Sequence, residues 1–172
     1  MTDPNGVTSE DRTDADTGTD AAAGTDAGAG AGSDDRAKVI AELARYDAGT
    51  DLAQAMGIEY VEATAERVVA RMPVKGNTQP YGLLHGGASC VLAESIGSVG
   101  SAIHAGPGRI AVGIEINATH HRSATEGHVT GVATRAHGGR TLATYDIVIT
   151  DDQDRRVCTA RLTCMLRDAP GS

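Results

Sequence analysis

Neither phenylalanine nor tryptophan occurs in the 172 residues, and Tyr46, Tyr60, Tyr81 and Tyr145 are the only aromatics. A core built from Val, Ile, Leu and Ala gathers its burial over a broad area, which favours a large sheet and a self-associating chain. Long apolar runs are missing as well. No stretch approaches the roughly 18 to 20 apolar residues that span a bilayer, and the N-terminus lacks the basic-then-apolar layout of a secretory signal, so the expected location is the cytoplasm with no membrane contact. Cysteine is scarce and odd in number. Cys90, Cys158 and Cys164 show no CxxC spacing, which indicates neither a disulfide framework nor a thiolate zinc site and leaves them as small buried hydrophobes.

Charge of either sign is balanced except in one place. Residues 1–35 hold nine acids and the single base Arg12, whereas residues 36–172 hold fourteen of each, so the net charge of -8 belongs to the first segment. That segment is almost entirely Ala, Gly, Asp, Thr and Ser. It has too little apolar surface to offset the entropy of ordering, and it reads as a disordered acidic tail before a single domain over 36–172. A neutral body exerts no general pull on nucleic acid or anionic lipid, and the tail would repel both.

Periodicity organises the body. From Arg36 to Met56, Val39, Ile40, Leu43 and Tyr46 fall at helical spacing and Gly57 closes the segment as a C-terminal cap, a short helical lead-in. IEYVEAT and ERVVARMPV read as two strands, followed by the turn-rich GNTQPYG run. Gly86 to His104 is the one long helix, with Ala88, Leu92, Ile96, Val99 and Ile103 forming an apolar stripe. A second, polar stripe carries Glu94, Ser98 and Ser101. Beyond the helix the period becomes two. Val112, Ile114, Ile116 and Ala118 alternate with polar or small residues, then come GHVTGVATRAH, the Tyr145, Ile147 and Ile149 run, and the Cys158 to Leu166 run, giving four strands. ATEG, HGGR and DDQDR are turns short enough to join antiparallel neighbours. The expected fold is α+β: an antiparallel sheet of five to six strands curled round one long helix, whose open edge invites a second copy to extend the sheet.

The chemistry lies in QPYGLLHGGASCVLAESIGS, residues 79–98. Gly86 and Gly87 open the helix, where backbone N–H groups have no partners within it and the dipole adds about half a positive charge, a combination suited to an oxyanion. Glu94 supplies a carboxylate able to act as base or nucleophile, and a helix this apolar is expected to enclose it. Eight residues at about 1.5 Å rise put roughly 12 Å between Gly86 and Glu94, too far for one side chain to span. Acting on one carbonyl, they come from two chains with antiparallel helices. The histidines suggest no metal, because adjacent His120 and His121 on a strand face opposite ways and no HxH or HxxxH pair exists. One of the two faces the cleft, and the other packs or meets solvent.

Together with GIEINATHHR and HGGRTLATYDIVITDDQDRRVCTARLT, this segment resembles the hotdog-fold thioesterases of the phenylacetate-thioesterase type over roughly residues 50–167. The likeness is strongest to the subgroup of the enterobactin proofreading thioesterase and the dihydroxynaphthoyl-CoA thioesterase of menaquinone synthesis. The resemblance implies that Glu94 is the catalytic carboxylate and Gln79 the glutamine near the thioester. It further implies that His85 orients the thioester, Gly86 is the oxyanion donor, and Ser98 and His120 complete the site. It also implies a dimer of hotdogs, usually doubled to a homotetramer, with a CoA nucleotide on the surface that Arg122 and Arg140 are candidates to meet. The family offers no role for the acidic tail. The expected reaction is hydrolysis of an acyl-CoA thioester, aryl or medium-chain, or of an acyl-carrier-protein thioester, with neither cofactor nor metal. The rivals are a hotdog module that binds acyl-CoA without turnover and an enoyl-CoA hydratase on the same fold.

Overall fold

The computed structural model describes residues 51–170. The tail over 1–35 and the lead-in residues 36–50 lie outside them, so only the end of the expected lead-in helix is in view.

The described chain begins with α1 (Asp51–Ala55). It closes where Gly57 turns to φ 67° and the Ile58 N–H reaches back to the Ala53 carbonyl, the cap anticipated at that glycine. Next come β1 (Glu59–Ala63) and β2 (Arg67–Pro73). The helix α2 (Gly86–Ala105) then precedes β3 (Arg109–His120), β4 (His128–Gly138), β5 (Leu142–Asp151) and β6 (Arg156–Asp168). All pairings are antiparallel, in the order β1-β2-β4-β5-β6-β3. The fold is the expected six-stranded sheet wrapped around one helix.

Period-two patterning places the core. On β6, Cys158, Ala160, Leu162, Cys164 and Leu166 are all buried, and on β5 Ala143, Tyr145, Ile147 and Ile149 are their counterparts. They form one core cluster with the apolar stripe of α2, where Ala88, Leu92, Ile96 and Val99 are buried. Fully burying side chains such as Leu92 and Ile96 contributes about 1.5–3 kcal/mol apiece. The helix comes close to the sheet because it carries glycine at the crossing. A Cβ on Gly97 would stand 2.6 Å from Leu162, and one on Gly100 2.7 Å from Tyr145. Small helix residues thus accommodate Leu162 and Tyr145, the latter the largest fully buried side chain among the described residues.

Two expectations fail. Val112 and Ile114 are not core residues but exposed, at 37% and 55%. A bulge between Gly113 and Glu115 shifts the phase of β3, so Ala111 lies inward before it and Ile116 and Ala118 after it. The ATEG turn does not join hydrogen-bonded neighbours, since β3 pairs only with β6 and β4 with β2 and β5. Curling of the sheet around α2 brings the end of β3 across to β4, which residues 121–127 then reach directly.

Candidate active site

The approach to α2 is a braced loop. Pro80 and Gly82 form a turn in which the Gly82 N–H donates to the Gln79 carbonyl, and the Gln79 N–H donates to that of Leu83. Thr78 and Leu84 bridge, the Leu84 N–H bonds Ala124, and the His85 N–H bonds Asn77. Asn77 is tied in turn by its amide to the carbonyls of Met56 and Pro73. Gln79 therefore sits half-buried on a fixed hairpin just before the helix, with Tyr81 projecting from its tip at 85% exposure.

His85 is the N-cap of α2. Its Nδ1 accepts from the Gly87 N–H at 2.8 Å, and its carbonyl accepts from Ala88 and Ser89. This narrows the expectation of two free glycine donors, because a capping side chain already holds Gly87. No partner for the Gly86 N–H is found among the described residues, so one open donor remains at the positive end of the helix. A ring nitrogen that accepts carries no proton, so while the cap stands the His85 proton is on Nε2 and available to donate outward.

The return of β3 beside α2 brings His120 to the same place. Its Nε2 lies 2.8 Å from where a Cβ of Gly86 would be, so any side chain at 86 would collide with the imidazole. His121 turns the other way and bonds Thr159 Oγ1 at 2.8 Å, the division of roles expected of adjacent strand residues. Gln79, His85, Gly86 and His120 thus occupy one end of α2.

Glu94 and Ser98 form a second group further along the helix. Glu94 is exposed, not enclosed as its apolar helix had suggested; with Gly87 it is one of only two exposed residues on α2. It emerges toward β3, the edge strand next to β6 among the described residues, where its Oε1 lies 3.1 Å from the Cβ position of Gly113. Opposite Gly113 in register is Cys164. Burial, the largest influence, raises the Cys164 thiol; the hydroxyls of Ser101 and Ser98 lower it and the charge of Glu94 raises it, with burial prevailing. Ser101 is buried, with no hydrogen-bond partner of good geometry for its Oγ among the described residues; the polar group it faces is that thiol. Cys164 is buried as expected of a small hydrophobe, but sequence pattern alone assigned neither it nor Gly113 to the site, although a lone glycine inside an alternating strand is itself a signal of bulge or close approach.

Arg122 and Arg140 are not brought together. Arg122 follows His120 at the amino end of α2, while Arg140 adjoins Gly139, whose carbonyl bonds His104 Nε2 in the last turn of the helix. A helix of 20 residues separates them by about 30 Å within one chain. Both are exposed. Among the described residues no three His, Cys, Asp or Glu side chains gather in a way that could hold a metal ion, and no helix is long and apolar enough to cross a membrane.

Comparison with known proteins agrees with this architecture. The model of the thioesterase superfamily matches residues 81–158. The proofreading thioesterase EntH of Cronobacter turicensis is 46% identical over 113 residues, which cover 65% of this chain and 82% of that protein. A crystallised mutant of a Pseudomonas aeruginosa thioesterase superposes with a TM-score of 0.70 at 38% identity, covering 74% of this chain and 94% of the other. A Haemophilus influenzae thioesterase gives a TM-score of 0.69 at 34% identity, covering 74% and 90%.

Proposed function

Since this chain belongs to the thioesterase superfamily and is a thioester hydrolase, we propose that it cleaves acyl-CoA thioesters at a site shared between two copies. The observation that carries this reading is the placement on α2 of one open N–H at Gly86 and one exposed carboxylate at Glu94, about 12 Å apart along the axis. The outer edge of β3, twelve residues long, without a partner strand among the described residues and with Val112 and Ile114 exposed, supports it. Such an edge is a template for a second β3. Two copies joined there continue the sheet and run their α2 helices antiparallel, which sets each Glu94 opposite the other chain's Gly86.

In this arrangement the thioester carbonyl oxygen lies on the Gly86 N–H, where negative charge develops as the carbon becomes tetrahedral. Such a donor contributes about 2.7–4 kcal/mol to the transition state. His85 Nε2–H and the Gln79 side chain hold the thioester. Glu94 of the other chain takes a proton from water as the water oxygen bonds to the carbonyl carbon, then returns it to the thiolate as the C–S bond breaks. Alternatively, its own oxygen attacks the carbonyl carbon and expels the thiolate as the C–S bond breaks, and water then cleaves the mixed anhydride to the free acid and the Glu94 carboxylate, with the proton released going to the thiolate. Ser98 and His120 position Glu94, the water or the acyl group. Arg122 of one chain and Arg140 of the other, at the same end of an antiparallel helix pair, are the candidates to meet the CoA phosphates. The catalytic unit is residues 36–172, and aryl and medium-chain acyl groups are the substrates to examine first.

The test is hydrolysis of benzoyl-CoA and a panel of acyl-CoA and acyl-carrier-protein thioesters by Glu94→Ala, followed by thiol release. Loss of about 10²–10⁴-fold in kcat is expected for removal of a general base. Full activity would remove Glu94 from the chemistry. Tight acyl-CoA binding by the unaltered protein with no thiol release would replace the hydrolase reading by a binding module.

A further inference from the structure

Gly113 on β3 faces α2 at the bulge, and nothing in its backbone calls for glycine. The glycines with positive φ are 57, 76, 82, 106, 108 and 127, and Gly113 is not among them. Space is the remaining reason. A Cβ there would stand 3.1 Å from Glu94 Oε1 and 4.0 Å from Glu94 Cδ, whereas Leu162 Cδ1 at 3.7 Å is at ordinary contact distance. The contrast with other inward glycines is chemical. Beneath Gly131 are Ile96 and Leu92, and beneath Gly97 is Leu162, so those glycines make room for core packing. Gly127 also meets a carboxylate oxygen, that of the exposed Asp152, but its φ of 70° already calls for glycine; among the described glycines without positive φ, only at Gly113 is the nearest atom a carboxylate oxygen on an exposed side chain.

We infer that Gly113 is a positioning residue for Glu94: its bare Cα is the seat on which the carboxylate rests, and any side chain at 113 lifts that carboxylate away from its working place. The bulge contributes by turning Gly113 inward beside Cys164 while Ile114 takes the extra position. The inference rests on the reading of Glu94 as the catalytic carboxylate. Because the collision is with the free end of an exposed side chain, replacing Gly113 leaves the fold intact. A side chain at 113 removes backbone freedom from the unfolded chain and so does not lower stability. Activity and stability are therefore expected to separate.

The experiment measures kcat, KM and melting temperature for Gly113→Ala and Gly113→Val, then repeats Gly113→Ala in a Glu94→Asp background. A misplacement of about 1 Å at a reacting group costs about 10²-fold in rate. Gly113→Val is expected to lose about 100-fold in kcat and Gly113→Ala about tenfold, with KM within about twofold and melting temperature unchanged or higher. With aspartate at 94 the carboxylate no longer reaches β3, so the penalty of Gly113→Ala shrinks to under about twofold, a non-additivity that marks direct contact. Full kcat in Gly113→Val, an equal penalty in both backgrounds, or a loss that tracks a falling melting temperature would each overturn the inference. Glu94→Ala separates the two levels: if it retains full activity, the reading of Glu94 fails, whereas an inactive Glu94→Ala beside a fully active Gly113→Val sinks only the seat.

Discussion

Pairing two inactive chains tests the shared site directly. Gly86→Pro removes the open donor at the first position of α2, where proline is best tolerated in a helix, and its ring also displaces the His120 imidazole of the same half-site, so both lesions fall on one side. The preceding His85, at φ -67° and ψ 131°, already has the extended conformation that a following proline requires. Loss of one oxyanion donor costs about 2.7–4 kcal/mol, or 10² to 10³ in kcat. Glu94→Ala removes the carboxylate. Each variant alone has both of its sites crippled. In a heterodimer, a site built from the Gly86 of one chain and the Glu94 of the other gathers both lesions on one side and leaves the other side whole. Purified mixed dimers carrying two different affinity tags should therefore show about half the specific activity of the unaltered dimer. An unfractionated one-to-one mixture, half of it mixed by chance, should show about a quarter, as two-fold symmetry dictates. A site contained in one chain predicts no recovery, because each chain keeps its own lesion. Verified mixed dimers no more active than their parents would refute the 12 Å argument and the antiparallel pairing with it.

Other expectations concern packing, pH and thiols. Gly100→Ala places a methyl 2.7 Å from the buried Tyr145 ring, and the overpacking, about 1–3 kcal/mol, outweighs a gain of up to about 1 kcal/mol in helix propensity. A lower chemical-denaturation midpoint should result, and a higher one would mean that the helix can lift off β5 without cost. Burial pushes the Asp151 carboxyl up, but hydrogen bonds from the Arg155 side chain at 2.8 Å and from the N–H groups of Arg155 and Gln153, both at 3.0 Å, prevail and hold it below its ordinary value. A depressed folded pKa contributes stability that is present above the unfolded value of about 3.9 and lost as pH falls through the folded one. Asp151→Asn should therefore flatten the acid limb of stability against pH, measured by urea midpoints from neutral pH downward, and parallel limbs would contradict the assignment. Burial, with the neighbouring Cys90 adding to it, raises the Cys158 thiol to about 11, and Cys164 is raised as well. A disulfide reagent at pH 8 should thus modify at most Cys90 in the native protein and all three cysteines in denaturant. Rapid native modification of all three would show that the sheet opens.

What could be read from the sequence was what depends on repeating local pattern. The α2 stripe from Ala88 to Val99 and the alternation on β5 and β6 repeat over enough residues to fix helix and strands before any tertiary contact is known. The roughly 12 Å between Gly86 and Glu94 needed only the rise of a helix. Features set by one residue against a distant one were not legible. A bulge is one added residue, and it reversed the sense of β3 so that Val112 and Ile114 face out. Which strands pair was equally hidden. A seven-residue link after His120 suits a hairpin locally, and only the curl of the whole sheet around α2 turns it into a crossing from β3 to β4. The exposure of Glu94 has the same origin. An apolar helix encloses its residues only on the sides the sheet covers, and the sheet ends at β3 beside Glu94. The edge that leaves this carboxylate open is also the surface that a second chain would extend, and so, on the proposed reading, the need for a second chain and the place of the chemistry have one physical cause.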